Sequence, residues 1–184
     1  MRIAVSGSHA TGKSTLVAEL GHRLHGFTAI EEPYHLLEDD GYVFSNPPTA
    51  DDFETLIDAA VAQLAKPQPV NVLFDRSPAD YLAYLVAVSR DGVARERVDE
   101  VARSLATLDL VVFVPIESPD RIAVREASRL RRRVDAVLHE MFVDRAWLFD
   151  VSVLTVHGTT EQRAAQVQAR LASARAARSS NRYL

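Results

Sequence analysis

A glycine-rich segment near the start of the chain, residues 7–14, fits the pattern G-x-x-x-x-G-K-[ST] and strongly limits the possible folds. Residues 2–6 before it form a short apolar run typical of a buried strand, and residues 14–24 after it carry apolar side chains at helical spacing. A strand, a glycine loop and a helix in this order make an anion site, because the loop N–H groups and the positive end of the helix face the same point. The sequence therefore predicts that residues 7–14, hereafter the phosphate loop, bind a nucleoside triphosphate rather than form an ordinary glycine turn.

The residue types within the phosphate loop predict how the triphosphate and its cation are held. We expect Lys13 to reach the β- and γ-phosphate oxygens and the Ser14 hydroxyl to ligate Mg²⁺. The expected cofactors are thus ATP and Mg²⁺. The expected nucleotide-binding residues of this part of the chain are Gly7, Ser8, His9, Ala10, Thr11, Gly12, Lys13, Ser14 and Thr15.

Composition and charge exclude several other classes of protein. The chain has 184 residues, enough for one domain with a full core, and 47% of them are hydrophobic while 25% are charged. The net charge of −4 and the lack of a basic, aromatic-interleaved surface argue against nucleic acid as a partner. Because cysteine is absent, disulfides, thiol nucleophiles and cysteine-based zinc sites are excluded, and the scattered histidines predict no zinc. No leader-like segment or membrane-length apolar run occurs, so we expect a cytoplasmic protein.

Short apolar runs alternate with amphipathic stretches along the rest of the chain, which predicts a doubly wound α/β fold with a parallel sheet covered on both faces. Helix starts are marked by Ser77 before Pro78 and by the capping-box pattern of residues 159–162. Residues 36–50 are expected to be irregular, and the arginine- and serine-rich tail, 178–184, to be frayed. The further strands are expected at 27–31, 70–75, 108–114 and 151–156, and the further helices at 51–65, 78–89, 93–106, 120–148 and 160–177.

Ligands of such folds bind beyond the carboxyl ends of the strands, so the residues that follow each strand are candidates for the chemistry. Glu31 and Glu32 end the second strand, and alternation along it lets at most one of them face the phosphates as a general base. The alternative interpretation is that Glu31 and Glu32 are two solvated acids before a turn. Asp75, after the third strand, is expected to hold Mg²⁺, and Arg76 to contact the transferring phosphoryl group or the substrate.

Two further segments follow the fourth and fifth strands. Residues 121–133 carry six arginines, most of them at near-helical spacing. They predict either a solvated helix face or a lid that closes over the triphosphate, with Arg125 and Arg129 as its expected contacts. After the fifth strand, Gly158 lies in a tight turn that is expected either to approach an adenine ring or simply to precede a helix.

With these residues placed, the chain resembles the P-loop small-molecule kinases of the thymidylate kinase and deoxynucleoside kinase group. It also looks like the bacterial AAA-type ATP-binding proteins that are similar to ribosylnicotinamide kinases. The motifs that carry the resemblance, in order, are the phosphate loop, Glu32-Pro33 and Asp75-Arg76-Ser77.

This resemblance implies a five-stranded parallel sheet in the order 2-3-1-4-5 and suggests a homodimer. It implies Glu32 as the general base and contacts of Asp75 and Arg76 with Mg²⁺ and phosphate. It places the acceptor at residues 36–69 and an arginine-rich lid at residues 120–134.

The sequence also departs from the pattern of these kinases. Ala10 stands where many of them have a further glycine, and Asp75 replaces the glutamate usual in deoxynucleoside kinases, as in thymidylate kinases. No tryptophan follows Glu32-Pro33, where Tyr34 and His35 stand instead. Phe53 and Gln63 are candidates for the wall of an acceptor pocket, although core packing is the simpler role for Phe53.

The sequence is compatible with two functions. The first is a phosphotransferase that moves the γ-phosphate of Mg-ATP to a small metabolite, a nucleoside or nucleotide, with Arg76 holding the acceptor phosphate if the acceptor carries one. The second is a nucleotide-dependent switch or ATPase with slow hydrolysis and a protein partner. The absence of an N-K-x-D guanine motif and of a glutamate beside Asp75 favours transfer to a small molecule.

Overall fold

The computed structural model describes residues 1–90, 92–118, 120 and 128–180. Within these residues a parallel sheet runs in the strand order β2-β3-β1-β4-β5, as expected from the resemblance. The central strand pairs with both neighbours, since Ile3 lies opposite Leu73 on one side and Leu110 on the other. The strands are β1 (Arg2–Ser6), β2 (Thr28–Ile30), β3 (Val72–Asp75), β4 (Leu110–Phe113) and β5 (Val153–Thr155).

Seven helices among the described residues cover the two faces of this sheet, as the alternation in the sequence predicts. Ile3 and Val5 of β1 belong to the apolar cluster formed with α1 and α7, whereas Ala4 between them belongs to the cluster formed with α3, α4, α5 and α6. Successive side chains of a strand point to opposite faces, so one strand serves both layers. The helices are α1 (Lys13–Arg23), α2 (Pro33–Asp39), α3 (Ala50–Ala65), α4 (Pro78–Val88), α5 (Arg95–Leu105), α6 (Ser128–Phe142) and α7 (Thr160–Ser180).

The largest differences between the observed elements and the sequence prediction concern α2, α6 and α7. Residues 36–39 are helical rather than irregular, because α2 begins at Pro33, whose fixed φ suits a first helical turn. Helix α6 ends at Phe142 rather than at residue 148, and Arg145 and Leu148 beyond it take left-handed φ values of 55° and 54°. Helix α7 continues to Ser180, past the expected start of the frayed tail.

Part of the predicted lid, residues 121–127, lies outside the described residues, and with it Arg125. Residues 181–184 of the tail lie outside them as well. Among the described residues, no helix combines the length and the apolar character needed to cross a membrane.

Both predicted helix starts are confirmed. Ser77 is the N-cap of α4 and Pro78 its first residue. At the start of α7, the Gln162 side chain accepts from the Thr159 N–H at 2.8 Å, and the Gln162 N–H donates to the Thr159 hydroxyl at 3.3 Å. These caps fix the directions in which α4 and α7 leave the sheet edge beside the phosphate loop.

The turn from β1 into the phosphate loop has no room for a side chain at Gly7, which gives a test of the packing. A Cβ at Gly7 would lie 2.4 Å from the Val114 carbonyl oxygen, whereas a Cβ at Gly21 in α1 would meet nothing within 4 Å. We expect Gly7→Ala to lower the free energy of unfolding by about 2 kcal/mol, because backbone must shift. The control Gly21→Ala is expected to raise it by about 0.5–1 kcal/mol. Urea denaturation of both variants measures this, and equal effects would contradict the described loop packing.

Candidate active site

The residues that follow the strands meet at one edge of the sheet, beyond its carboxyl ends. The phosphate loop follows β1 in the centre, Glu32 follows β2, and Arg76 follows β3. On the other side, residues 115–118 follow β4 and Gly158 follows β5. The strand order therefore brings together every segment that the sequence singled out, apart from those outside the described residues.

Arginine side chains hold the carbonyl groups of the phosphate loop from outside. Arg131 of α6 donates from Nε to the His9 carbonyl at 2.9 Å and from Nη2 to the Ala10 carbonyl at 3.0 Å. Arg163 of α7 donates to the Thr11 carbonyl at 2.7 Å. In a trans peptide the C=O and N–H point in opposite directions, so these bonds turn the N–H groups that follow toward the other side of the loop. This orientation is the one that an anion-binding loop requires.

Ala10 takes a backbone conformation that favours glycine. Its φ is 53°, and Gly12 follows with a φ of 88°. A left-handed alanine costs about 1 kcal/mol, and the two hydrogen bonds from Arg131 to the peptides around it offset that cost. Ala10 thus keeps a glycine-like loop conformation.

The Lys13 side chain is buried within the phosphate loop, and its Nζ donates to the Ser8 carbonyl at 2.6 Å. Burial, together with the nearby positive charge of Arg76, lowers the pKa of Lys13 to about 7. The negative charges of Asp80, Glu32 and Asp75 oppose this shift. A polyphosphate placed beside Nζ would favour the charged form and draw the ammonium toward itself.

Asp75 and Ser14 form a pair at the base of the loop. Burial raises the pKa of the Asp75 carboxyl, although a hydrogen bond from the exposed Ser14 hydroxyl acts in the opposite direction. Asp75 Oδ1 is buried and has no hydrogen-bond partner among the described residues. A carboxylate oxygen without a partner beside a hydroxyl is a donor set that fits Mg²⁺.

Glu32 and Arg76 form a largely buried ion pair between the ends of β2 and β3. Arg76 Nε donates to Glu32 Oε1 at 2.6 Å, and Arg76 Nη1 donates to the Gly7 carbonyl at 3.2 Å. Arg76 has a φ of 76°, a strained value for a non-glycine residue, which directs its side chain across the site. Glu31 is exposed, and its carbonyl accepts from Gln63 at 2.8 Å. Of the two glutamates, Glu32 is therefore the one that faces the site.

Two residues of α4 that support the site were not predicted from the sequence. The fully buried Asp80 carboxylate accepts from the Gly7 N–H at 2.7 Å and from the Ser77 N–H at 2.9 Å. Tyr84, one turn further, accepts from the His9 N–H at 2.8 Å. The acid three residues after Ser77 completes a capping box, and that pattern was the available signal for Asp80.

A cavity of about 460 Å³ opens beside the phosphate loop between α2, α3 and α4. Phe53 lines this cavity and stacks on Tyr84, with ring centroids 5.1 Å apart, whereas Gln63 lies outside the lining. His9 belongs both to the loop and to the cavity wall. The lining residues are His9, Glu32, Tyr34, His35, Asn46, Pro47, Pro48, Phe53, Leu56, Arg76, Tyr81, Tyr84 and Leu130.

A second, wider cleft of about 750 Å³ lies on the opposite side of the loop, beside Gly158. The Glu117 carboxylate accepts from the Gly158 N–H at 2.6 Å and from Arg163 Nη2 at 3.1 Å. Since Arg163 also binds the Thr11 carbonyl, the cleft and the phosphate loop share one hydrogen-bonded support. Ile116 and Gln166 contribute to the wall of this cleft.

The arginines of α6 divide between anchoring and surface positions. Arg131 is buried and pairs with Asp120, whereas Arg129, an expected lid contact, and the nearby Arg132 are exposed. The structure gives the anchoring position to Arg131, which was not among the expected lid contacts, because α6 turns the face of Arg131 toward the loop.

Replacement of Arg131 tests its anchoring of the loop. We expect Arg131→Met to lower the free energy of unfolding by about 2 kcal/mol, because the His9 and Ala10 carbonyls and the partly exposed Asp120 carboxylate lose a charged donor. The control Arg133→Met removes an exposed arginine of the same helix and is expected to change the free energy by less than about 0.5 kcal/mol. Equal effects in chemical denaturation would contradict the anchoring.

Comparisons with known proteins agree with this architecture. No curated protein matches the sequence. A deoxyadenosine kinase from M. mycoides, solved with dCMP and dCDP, has a similar fold, with a TM-score of 0.63, 15% identity, and coverage of 94% of this chain and 99% of that one. A thymidylate kinase from Candida albicans has a TM-score of 0.61 and 16% identity, with 94% and 91% covered.

A NadR protein in complex with NAD and AMP-PNP is also similar, with a TM-score of 0.60 and 20% identity over 90% of this chain. The match spans 48% of that NadR chain. These likenesses establish an α/β P-loop NTPase fold. A family model described as an AAA domain matches residues 2–163, and the chain therefore belongs to this AAA domain family.

Proposed function

We propose that this protein is a phosphotransferase that moves the γ-phosphate of Mg-ATP to the hydroxyl group of a small metabolite of the nucleoside or nucleotide type. The observation that carries the proposal is the position of His9, which is part of the phosphate loop and also part of the wall of a separate cavity. A donor phosphate on the loop and an acceptor in the cavity would be in contact at this point. A nucleotide-binding site alone has no need of such a second cavity.

The residues around this junction have the chemistry that the transfer requires. Lys13 and the loop N–H groups would bind the β- and γ-phosphates. Ser14 and Asp75 would hold Mg²⁺, which when bound neutralises phosphate charge. Glu32, in the cavity wall, would accept the proton of the attacking hydroxyl.

The cleft beside Gly158 is the proposed place of the donor base. It lies on the side of the loop away from the acceptor cavity, as in-line transfer between two sites demands. Glu117 binds the Gly158 N–H and Arg163 binds the Thr11 carbonyl of the phosphate loop, so this pair would hold the base site at a fixed distance from the phosphate site. The expected lid contacts, Arg125 and Arg129, stay predictions.

Release of ADP from Mg-ATP with a panel of nucleosides and mononucleotides tests the proposed transfer. We expect an acceptor-dependent rise that Glu32→Gln lowers by about 100-fold, because the amide cannot take a proton. The matched control Glu31→Gln changes the exposed neighbour and is expected to stay within about twofold of the wild type. Slow hydrolysis that is indifferent to every acceptor would contradict the proposal and favour a nucleotide-dependent switch.

The lowered pKa of Lys13 gives a second test, of the donor site. At pH 8 a group with a pKa of about 7 is mostly uncharged, and a bound triphosphate would return its pKa toward about 10. We expect Mg-ATP binding at pH 8 to take up close to one proton, and affinity to fall as the pH rises above 7, where the ammonium must first be formed.

Calorimetry in buffers of different ionisation enthalpy measures this proton uptake. Lys13→Arg is the control, because a guanidinium stays charged at every pH used and takes up no proton. Heats of binding that do not vary with the buffer in the wild type would contradict the placement of Lys13 beside the phosphates.

A further inference from the structure

We infer that the acceptor is an uncharged alcohol that carries a planar ring, of the nucleoside class, and that phosphate monoesters such as nucleoside monophosphates are excluded. This inference rests on the proposed phosphotransfer and narrows its substrate class. It is carried by the charge balance and by the aromatic walls of the 460 Å³ cavity beside His9.

Arg76, the arginine of the cavity wall, already forms ion pairs and hydrogen bonds with other groups of the protein. Arg76 donates to Glu32 at 2.6 Å and to the Gly7 carbonyl at 3.2 Å, and its Nη1 lies 3.6 Å from Asp80 Oδ1. Its guanidinium also faces the rings of Tyr81 and Tyr84, each with its centroid 5.8 Å away. Two carboxylates thus balance one guanidinium. An acceptor phosphate would have to break the pair with Glu32 and leave that carboxylate buried beside a second anion.

The histidines of the wall do not supply the missing charge. Burial, with the nearby charges of Arg76, Arg131 and Lys13, lowers the pKa of His9 to about 4, so its imidazole is neutral at pH 7. The His35 side chain is exposed, and its Nδ1 lies 3.4 Å from the Glu38 carboxylate. Among the described lining residues, no cation is therefore left for a dianionic phosphate.

The rest of the wall suits a flat ring. Phe53 and Tyr84 stack at an interplanar angle of 17°, and Tyr34 stacks on Phe44 at 15° on the outer side. A volume of about 460 Å³ is within the range of small-molecule sites, which bind rings through aromatic walls. Aromatic side chains have few rotamers to lose, so such a wall would bind a ring at a low entropic cost.

The segment that closes the cavity is tied to α3. Asp52 is buried and accepts from the Tyr42 hydroxyl at 3.1 Å and from the Thr49 N–H at 2.7 Å. These bonds fix both ends of the segment that contains Asn46, Pro47 and Pro48 of the wall. The aromatic pocket is therefore held closed on this side by the fold itself.

An alcohol acceptor also explains the carboxylate in the wall. In the transfer, the hydroxyl oxygen forms a bond to the γ-phosphorus, the bond from the γ-phosphorus to the bridging oxygen breaks, ADP leaves, and the hydroxyl proton passes to Glu32. Arg76 and Tyr81 both donate to Oε1 of Glu32, so among the described residues Oε2 is left to accept this proton. A phosphate monoester is already ionised at pH 7 and needs no such base.

Paired acceptors test this inference directly. We would measure kcat/KM for ADP release with each common ribo- and deoxyribonucleoside and with its 5′-monophosphate. We expect at least one nucleoside to exceed its monophosphate by about 100-fold or more, the discrimination of a site that leaves a buried charge unpaired. Glu32→Gln should lower nucleoside turnover and, by freeing Arg76, tighten monophosphate binding measured by calorimetry. Glu31→Gln should leave both unchanged.

The outcomes separate this inference from the proposed function. Turnover of a monophosphate that equals or exceeds that of its nucleoside would overturn the inference and leave phosphotransfer standing. Calorimetric binding of nucleosides without any turnover would support the cavity assignment and overturn phosphotransfer. Failure of every nucleoside to bind, in the presence of Mg²⁺ and a non-hydrolysable ATP analogue, would overturn the inference itself.

Discussion

The hydrogen bonds from arginine side chains to the carbonyls of the phosphate loop are the interactions on which the rest of this site depends. Arg76, Arg131 and Arg163 come from the end of β3, from α6 and from α7, and each binds a loop carbonyl. A loop that presents N–H groups to an anion must keep its carbonyls turned away, and buried guanidinium groups do this at several points at once. The loop is thus a product of the surrounding packing as much as of its own glycines.

A second constraint follows from the same arginines. Each buried guanidinium needs a counter-charge, and the structure supplies Glu32 and Asp80 for Arg76, Asp120 for Arg131, and Glu117 for Arg163. The carboxylates are then fixed beside the loop whether or not they take part in chemistry. Glu32 is in the wall of one cavity and Glu117 in the wall of the other, so the pairs that stabilise the loop also define the two sites around it.

Much of this site could be anticipated from local sequence. Each of its predicted features is encoded by a short stretch of neighbouring residues. These features are the phosphate loop, the alternation of strands and helices, Asp75 after β3 and the caps at Ser77 and Thr159. The choice between Glu31 and Glu32 could not be made, because it depends on how the end of β2 meets Arg76, 44 positions further along the chain. The helical pattern likewise predicts that Phe53 packs in the core. Its position in the cavity wall depends on the approach of α4, whose Tyr84 stacks on it.

Side-chain periodicity and glycine spacing are local properties of the backbone, and they were enough to predict a parallel α/β protein with a phosphate loop. The identity of the arginines that anchor this loop depends on long-range packing and could not be predicted from local sequence. Arg131 lies 122 positions from the His9 carbonyl that it binds, and its neighbours Arg129 and Arg132 on the same helix are exposed. All three share one basic run in the sequence. The packing of α6 against α4 selects among them, and that packing is set by the apolar core rather than by the run of charges.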